Sequence, residues 1–145
     1  MVKRYVFWAR AAAMIQLITA LFHTLSVFAA PPPQNDTEKQ LFDLVNGYRA
    51  DMGFGFRRTT AEVITGLNSC FTLLCLLGAL TILFLLREKA NFRIMKGILN
   101  IQCILFGICF LMMGIFTFLP PIILTGMAFA SLLIARVMME GTGKN

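Results

Sequence analysis

Charge is the first thing this chain has little of. Only 14% of its 145 residues are Asp, Glu, Lys or Arg, whereas a soluble domain carries roughly a quarter. Histidine occurs once, at His23, which excludes a bis-histidine haem site within one chain. The four cysteines, Cys70, Cys75, Cys103 and Cys109, form no CxxC pair, and none lies in a polar segment where an oxidising compartment would force a disulfide. A thiol oxidoreductase with paired reactive cysteines is therefore not expected, and the thiols read as small packing groups. There is no Walker-type glycine loop, no HExxH, no GxSxG and no acidic cluster with metal-ligand spacing. No metal and no cofactor are expected. No repeat relates the two halves, so an inverted-repeat transporter is not indicated.

What is abundant is hydrocarbon. Apolar residues make up 58% of the chain and its mean hydropathy is +0.76. They concentrate in four stretches at about 11–30, 63–86, 98–118 and 122–138. Each is close to or above the roughly 20 residues that cross a bilayer core of about 30 Å. The expected fold is all-α: an integral membrane four-helix bundle occupying 1–145 as a single membrane domain. A secretory leader is the rival reading of the first stretch, with Val27-Phe28-Ala29 as a small-residue cleavage site. The stretch is long for a leader and contains Gln16 and His23, so it reads as a true span.

The net charge of +6 could suggest a nucleic-acid partner, but its distribution points to topology instead. With the N-terminus cytoplasmic, Lys3, Arg4, Arg10, Arg87, Lys89, Arg93, Lys96, Arg136 and Lys144 fall inside. Lys39, Arg49, Arg57 and Arg58 fall outside. That bias predicts both termini in the cytoplasm, with some attraction to anionic inner-leaflet lipids and no nucleic-acid binding.

Proline marks the breaks. Pro31-Pro32-Pro33 should stop the first span, and Pro120-Pro121 should make a tight reversal before the last. The outer segment, 31–60, is the only substantial part outside the spans. Thr37 and Gln40 fit a capping box, and Leu41, Phe42, Leu44, Val45 and Tyr48 follow helical spacing. A short amphipathic helix over about 38–49 is predicted, lying on the outer leaflet or capping the bundle. Met52-Gly53-Phe54-Gly55-Phe56 follows as an aromatic turn. The plain reading is an interfacial helix; the alternative makes Tyr48, Phe54 and Phe56 a lid over a binding site.

Polar residues inside spans are the best functional pointers, because lipid tolerates them poorly. Gln16, Thr19, His23 and Ser26 share one helical face, and Glu62, Thr65, Ser69 and Thr72 share another, with Asn68 beside it. Equal steps from the outer ends bring Ser26 level with Thr65, and His23 level with Asn68 and Ser69. His23 then lies roughly 10 Å below the outer end of its helix at 1.5 Å per residue. A polar seam between spans one and two is expected, opening toward Glu62, Arg58 and Arg57. The plain reading is interhelical hydrogen bonding. The alternative is a ligand or headgroup site made by His23, Ser26, Arg57, Arg58, Glu62, Thr65, Asn68 and Ser69. Small-residue faces in the last two spans, with Gly107 and Gly114 on one and Gly126 and Ala130 on the other, predict tight helix packing.

The run from Arg58 through Thr-Thr-Ala-Glu-Val-Ile-Thr-Gly66-Leu-Asn68-Ser-Cys to Phe71 resembles the start of the second span in an uncharacterised family of small bacterial four-span membrane proteins. The proline-marked reversal before the last span is similar too. That resemblance implies a location, the bacterial inner membrane, and a fold, but no activity. Small four-span enzymes of the glutathione-using eicosanoid class share the size, but their Arg-x-x-x-Asn-x-x-Glu pattern is absent. Three functions stay open. They are a non-catalytic accessory subunit or assembly factor, a lipid or hydrophobic small-molecule binder, and a membrane enzyme or proton-coupled protein using His23 and Glu62. The expected partners are membrane lipids and either a second membrane protein or further copies of the chain.

Overall fold

The computed structural model describes residues 2–28 and 32–140. Their order is α1 (Val2–Phe28), α2 (Asp36–Gly47), β1 (Arg49–Asp51), β2 (Arg57–Thr59), α3 (Thr60–Arg87), α4 (Phe92–Phe116) and α5 (Leu119–Glu140). The fold is all-α apart from one short hairpin. Four helices are long and apolar enough to cross a bilayer, over Arg4–Ser26, Thr60–Arg87, Phe92–Phe116 and Leu119–Met139. The predicted stop at Pro31, the residue Ala29 of the cleavage-like site and Lys144 lie outside the described residues.

Which side chains face inward shows what solvent these helices are made for. On α1 the buried stripe is Ala9, Ala12, Ala13, Gln16, Thr19 and Ala20, while Met14, Ile18, Leu21, Phe22 and Leu25 are exposed. On α3, Cys75 and Ala79 are buried and Leu73, Leu74, Leu77 and Leu80 are exposed. On α4, Gln102 and Cys103 are buried and Ile101, Ile104, Leu105 and Ile108 are exposed. Small and polar groups make up much of the buried faces, beside a few large residues such as Ile82, Met95, Leu99, Leu132 and Met139, and most of the large apolar groups turn out. In water that arrangement would leave apolar patches far beyond what a soluble monomer carries. Against lipid it is the stable one, because burying leucine among helices gains nothing over leaving it in hydrocarbon. Small residues instead let the backbones approach.

The chain divides into two compact units. The first comprises residues 1–20 and 74–145, and joins parts of α1, α3, α4 and α5 around one core. Ala9, Ala12, Ala13, Ala79, Ile82, Met95, Leu99, Leu132, Ala135 and Met139 fill it, with Tyr5, Trp8 and Phe106 packed at its margin. Within it α4 and α5 form an antiparallel pair. Phe129 packs over Gly107, where an added Cβ would meet its ring at 3.1 Å, and Phe110 packs over Gly126, where the distance would be 2.9 Å. The two rings stack with centroids 6.4 Å apart. The small-residue faces at Gly107 and Gly126 are thus consumed inside the chain, each receiving a phenylalanine from the other helix.

The second unit comprises residues 21–73 and holds the end of α1, α2, the hairpin and the start of α3. Helix α2 starts two residues before the sequence suggests. Its N-cap is Asn35, whose Oδ1 accepts from the Glu38 N–H at 2.8 Å, while Glu38 accepts from the Gln34 N–H at 2.7 Å. The cap is therefore Asn35 with Glu38, not Thr37 with Gln40: both are good capping patterns, and the carboxylate makes the stronger reciprocal bond. The strands β1 and β2 pair antiparallel with Arg49 opposite Thr59 and Asp51 opposite Arg57.

The other helix ends also differ from the apolar windows. α1 begins at Val2 and α4 at Phe92, well ahead of residues 11 and 98. Lys and Arg lower the hydropathy without interrupting a helix, and Asn91 caps α4 by accepting from the Ile94 N–H at 2.9 Å. Pro120 and Pro121 do not form the reversal before α5; they lie in its first turn. A helix start has no partner for those N–H groups, so proline is at home there, and the reversal falls on Thr117 and Phe118.

Candidate functional site

Every residue that the sequence nominates for a site falls in the second unit, in two groups. The first is a joint. β2 runs directly into α3, and the junction is a capping box. The Glu62 N–H donates to Thr59 Oγ1 at 3.1 Å, and the Thr59 N–H donates to Glu62 Oε2 at 2.9 Å. The other carboxylate oxygen accepts from Arg49 Nη2 at 3.2 Å, which ties β1 to the same helix start. Arg49 Nη1 also donates to the Arg57 carbonyl. Both oxygens of Glu62 are engaged, and the negative charge sits where the partial positive charge of a helix N-terminus favours it. Arg57 and Arg58 are exposed, with the Arg58 guanidinium 5.9 Å from the centre of the Phe56 ring.

The second group lies on the facing ends of α1 and α3. His23 packs its ring against Phe71, centroids 4.8 Å apart, and its Nδ1 is buried with no hydrogen-bond partner among the described residues. The hydroxyls turn back on their own helices. Ser26 donates to the His23 carbonyl at 2.7 Å and Ser69 to the Thr65 carbonyl at 2.8 Å. Thr65 is exposed and Asn68 half-buried. His23 meets Phe71, two to three residues further along α3 than the Asn68 and Ser69 expected beside it, and the contact is ring on ring rather than a ladder of hydrogen bonds.

Of the lid residues, Tyr48 caps α2, its N–H donating to the Leu44 carbonyl at 3.1 Å. Phe54 and Phe56 sit in the hairpin loop and are exposed. A shallow groove of about 490 Å³ runs along α2, lined by Pro32, Pro33, Glu38, Leu41, Phe42 and Val45. Tyr48, Phe54 and Phe56 do not line it.

The hydrogen bonds that do cross between helices lie in the first unit. Gln16 Nε2 donates to Gln102 Oε1 at 3.0 Å, and Gln102 Nε2 donates to the Gly78 carbonyl at 3.0 Å. This chain of bonds ties α1, α4 and α3 together. Gly78 makes it possible: a Cβ there would stand 2.5 Å from Gln16 Oε1. On α5, Arg136 Nε donates to Asn100 Oδ1 of α4. The sequence reading finds Gln16 but not its partner. The signal was a second glutamine, Gln102, inside another apolar span. Among the described residues no three of His, Cys, Asp and Glu come close enough together to hold a metal ion.

These features define the class: a small all-α protein with four helices suited to a bilayer, small and polar faces inward, and a structured connection between its first and second long helices. No family model matches the chain, and neither a curated protein nor a solved structure matches it.

Proposed function

We propose that the protein is a non-catalytic integral membrane protein acting by association, as an accessory subunit or assembly factor of a membrane complex. In this reading it lies in the bacterial inner membrane with both termini cytoplasmic, in keeping with its resemblance to small bacterial four-span proteins. The observation that carries it is the ridge of α2. Leu41 and Leu44 are each 60% exposed on a helix capped at both ends, and the C-cap residue Tyr48 is 64% exposed. An exposed apolar ridge of this kind supports an interaction surface. The chemistry-bearing side chains support the same reading through the bonds they make: Glu62 is engaged at a helix start, and Gln16 and Gln102 bond each other.

Site-specific photo-crosslinking from Leu41 and Leu44 in native membranes tests it. One discrete adduct of a second polypeptide is expected, lost on Asp substitution at the neighbouring ridge position. Crosslinks only to lipid would contradict it. A hydrophobic-ligand reading has one specific observation in its favour, the buried, unpartnered Nδ1 of His23 beside Phe71. Its test is His23→Ala, which should release a co-purifying small molecule while leaving the α2 crosslink intact.

A further inference from the structure

The hairpin tip combines two features, an uncommon backbone conformation and an exposed aromatic ring at the residue that adopts it. Gly53, Phe54 and Gly55 all hold positive φ, at 86°, 52° and 83°. Glycine enters that region freely, but phenylalanine seldom does. Phe54 is nevertheless fully exposed, at 103% of its reference area, so the unusual backbone is not offset by burial of its ring. Met52 and Phe56 on either side are exposed as well. The loop is firmly tied all the same. Asp51 Oδ1 accepts from the Gly53 N–H at 2.8 Å, the Met52 N–H donates to the Phe56 carbonyl at 2.9 Å, and the Phe56 N–H donates to the Gly53 carbonyl at 3.0 Å. A hydrogen-bonded loop thus leaves three apolar side chains exposed, Phe54 completely and Met52 and Phe56 by more than half.

Its attachment limits where it can reach. β2 enters α3 with no intervening residue, and the Glu62 capping box and the Arg49 ion pair fix the base. Six residues separate Phe54 from Thr60, so at about 3.3 Å each the tip lies within roughly 20 Å of the start of α3. α3 is long and apolar enough to cross a bilayer, and the interfacial layer outside the hydrocarbon is about 5–8 Å thick on each side. The tip is therefore close enough to reach the headgroup layer at the start of α3.

Charge then selects the occupant. Arg49 is paired with Glu62 and the Asp51 carboxylate is turned onto Gly53. That leaves the exposed Arg57 and Arg58 beside the aromatic tip. Rings at the acyl boundary with guanidinium groups on the phosphates are the usual composition of a membrane–water interface. We infer that the loop Met52–Phe56 inserts into the headgroup layer of the leaflet that α3 enters, with Phe54 deepest and Arg57 and Arg58 on lipid phosphates. The hairpin is then a membrane anchor that sets the height of α2 above the bilayer. The inference does not depend on a protein partner for α2.

The test uses the full chain with its single tryptophan removed by Trp8→Phe and a probe introduced by Phe54→Trp, reconstituted in vesicles of phosphatidylcholine and phosphatidylglycerol. Lipids brominated high on the acyl chain are expected to quench the introduced indole about twofold or more, since an interfacial ring sits at the headgroup level, and aqueous iodide should do so weakly. Adding Arg57→Gln and Arg58→Gln should reduce the bromine quenching; no change would overturn the assignment of these arginines to phosphates. Strong iodide quenching without bromine quenching would overturn the insertion. So would an indole shielded from both quenchers in these vesicles, because protein would then cover the tip. Phe56→Trp in the same background gives a second probe that leaves the positive-φ position untouched.

Discussion

Replacing Gly78 by alanine should give opposite results in two backgrounds, and the reason is geometric. A Cβ at position 78 would stand 2.5 Å from Gln16 Oε1 and 3.6 Å from Gln102 Oε1. The Gln16 amide ends a flexible side chain, so it should swing aside rather than force the helices apart. Gln16 is fully buried, however, and moving its amide breaks the 3.0 Å bond to Gln102. A cross-helix bond of this kind in a membrane protein contributes about 0.6 kcal/mol, up to roughly 1.7. Leaving a buried amide oxygen on Gln102 without its donor adds about 1–3 kcal/mol. Against this, alanine is better than glycine inside a helix by about 1 kcal/mol. The net expectation for Gly78→Ala is a loss of about 0.5–4 kcal/mol. In a Gln16→Ala background the obstruction and the bond are both gone. The same substitution should then be neutral or stabilising by up to about 1 kcal/mol. Reversible unfolding in mixed micelles or bicelles, run as a double-mutant cycle, measures the difference. Equal destabilisation by Gly78→Ala in both backgrounds would refute the reasoning, since it would show that the new methyl meets something other than Gln16.

Three further outcomes follow from the helix ends and the α4–α5 pair. Thr59→Ala removes the side-chain half of the α3 capping box and should destabilise by about 1 kcal/mol, with amide exchange faster in the first turn of α3 and unchanged in α4. Lys89 sits with φ at 49° just after α3, where the Ala90 N–H reaches the Leu85 carbonyl and the Lys89 N–H reaches that of Leu86. This is the position glycine favours, so Lys89→Gly should raise stability by up to about 1 kcal/mol, read as a higher unfolding midpoint. Gly126→Val should place a branched side chain against Phe110, which already comes within 2.9 Å of an added Cβ. The expected loss is about 1–3 kcal/mol, partly recovered by Phe110→Leu; no recovery would show that the two residues are not coupled.

The four spans were legible because length and composition alone decide them: about 20 apolar residues have few other uses in a chain so poor in charge. Helix ends were less so, since hydropathy marks the apolar window and capping marks the helix. Lys3 to Arg10 lower the first without stopping the second. The hairpin could not be read, because strands of three residues carry no usable alternation and Arg-Ala-Asp or Arg-Arg-Thr resemble any loop. Glu62 illustrates a signal present but read for something else. Thr59-Thr-Ala-Glu62 has the capping-box spacing in plain view, yet the acid stands out first as a charge beside a polar stripe. The Gln16–Gln102 bond was hidden for a different reason. Matching depths along two antiparallel helices says which residues are level, but not which way each helix is rotated about its axis. That rotation sends Gln16 toward α4.

Native mass spectrometry of the protein, gently extracted from its own membranes, puts the association reading to the most direct test. A stoichiometric second polypeptide is predicted, held in the wild-type protein and lost when Leu41 and Leu44 are both replaced by Asp. A chain found alone, or only with copies of itself around one defined small molecule, would contradict it and would make the His23–Phe71 contact the place to look for binding.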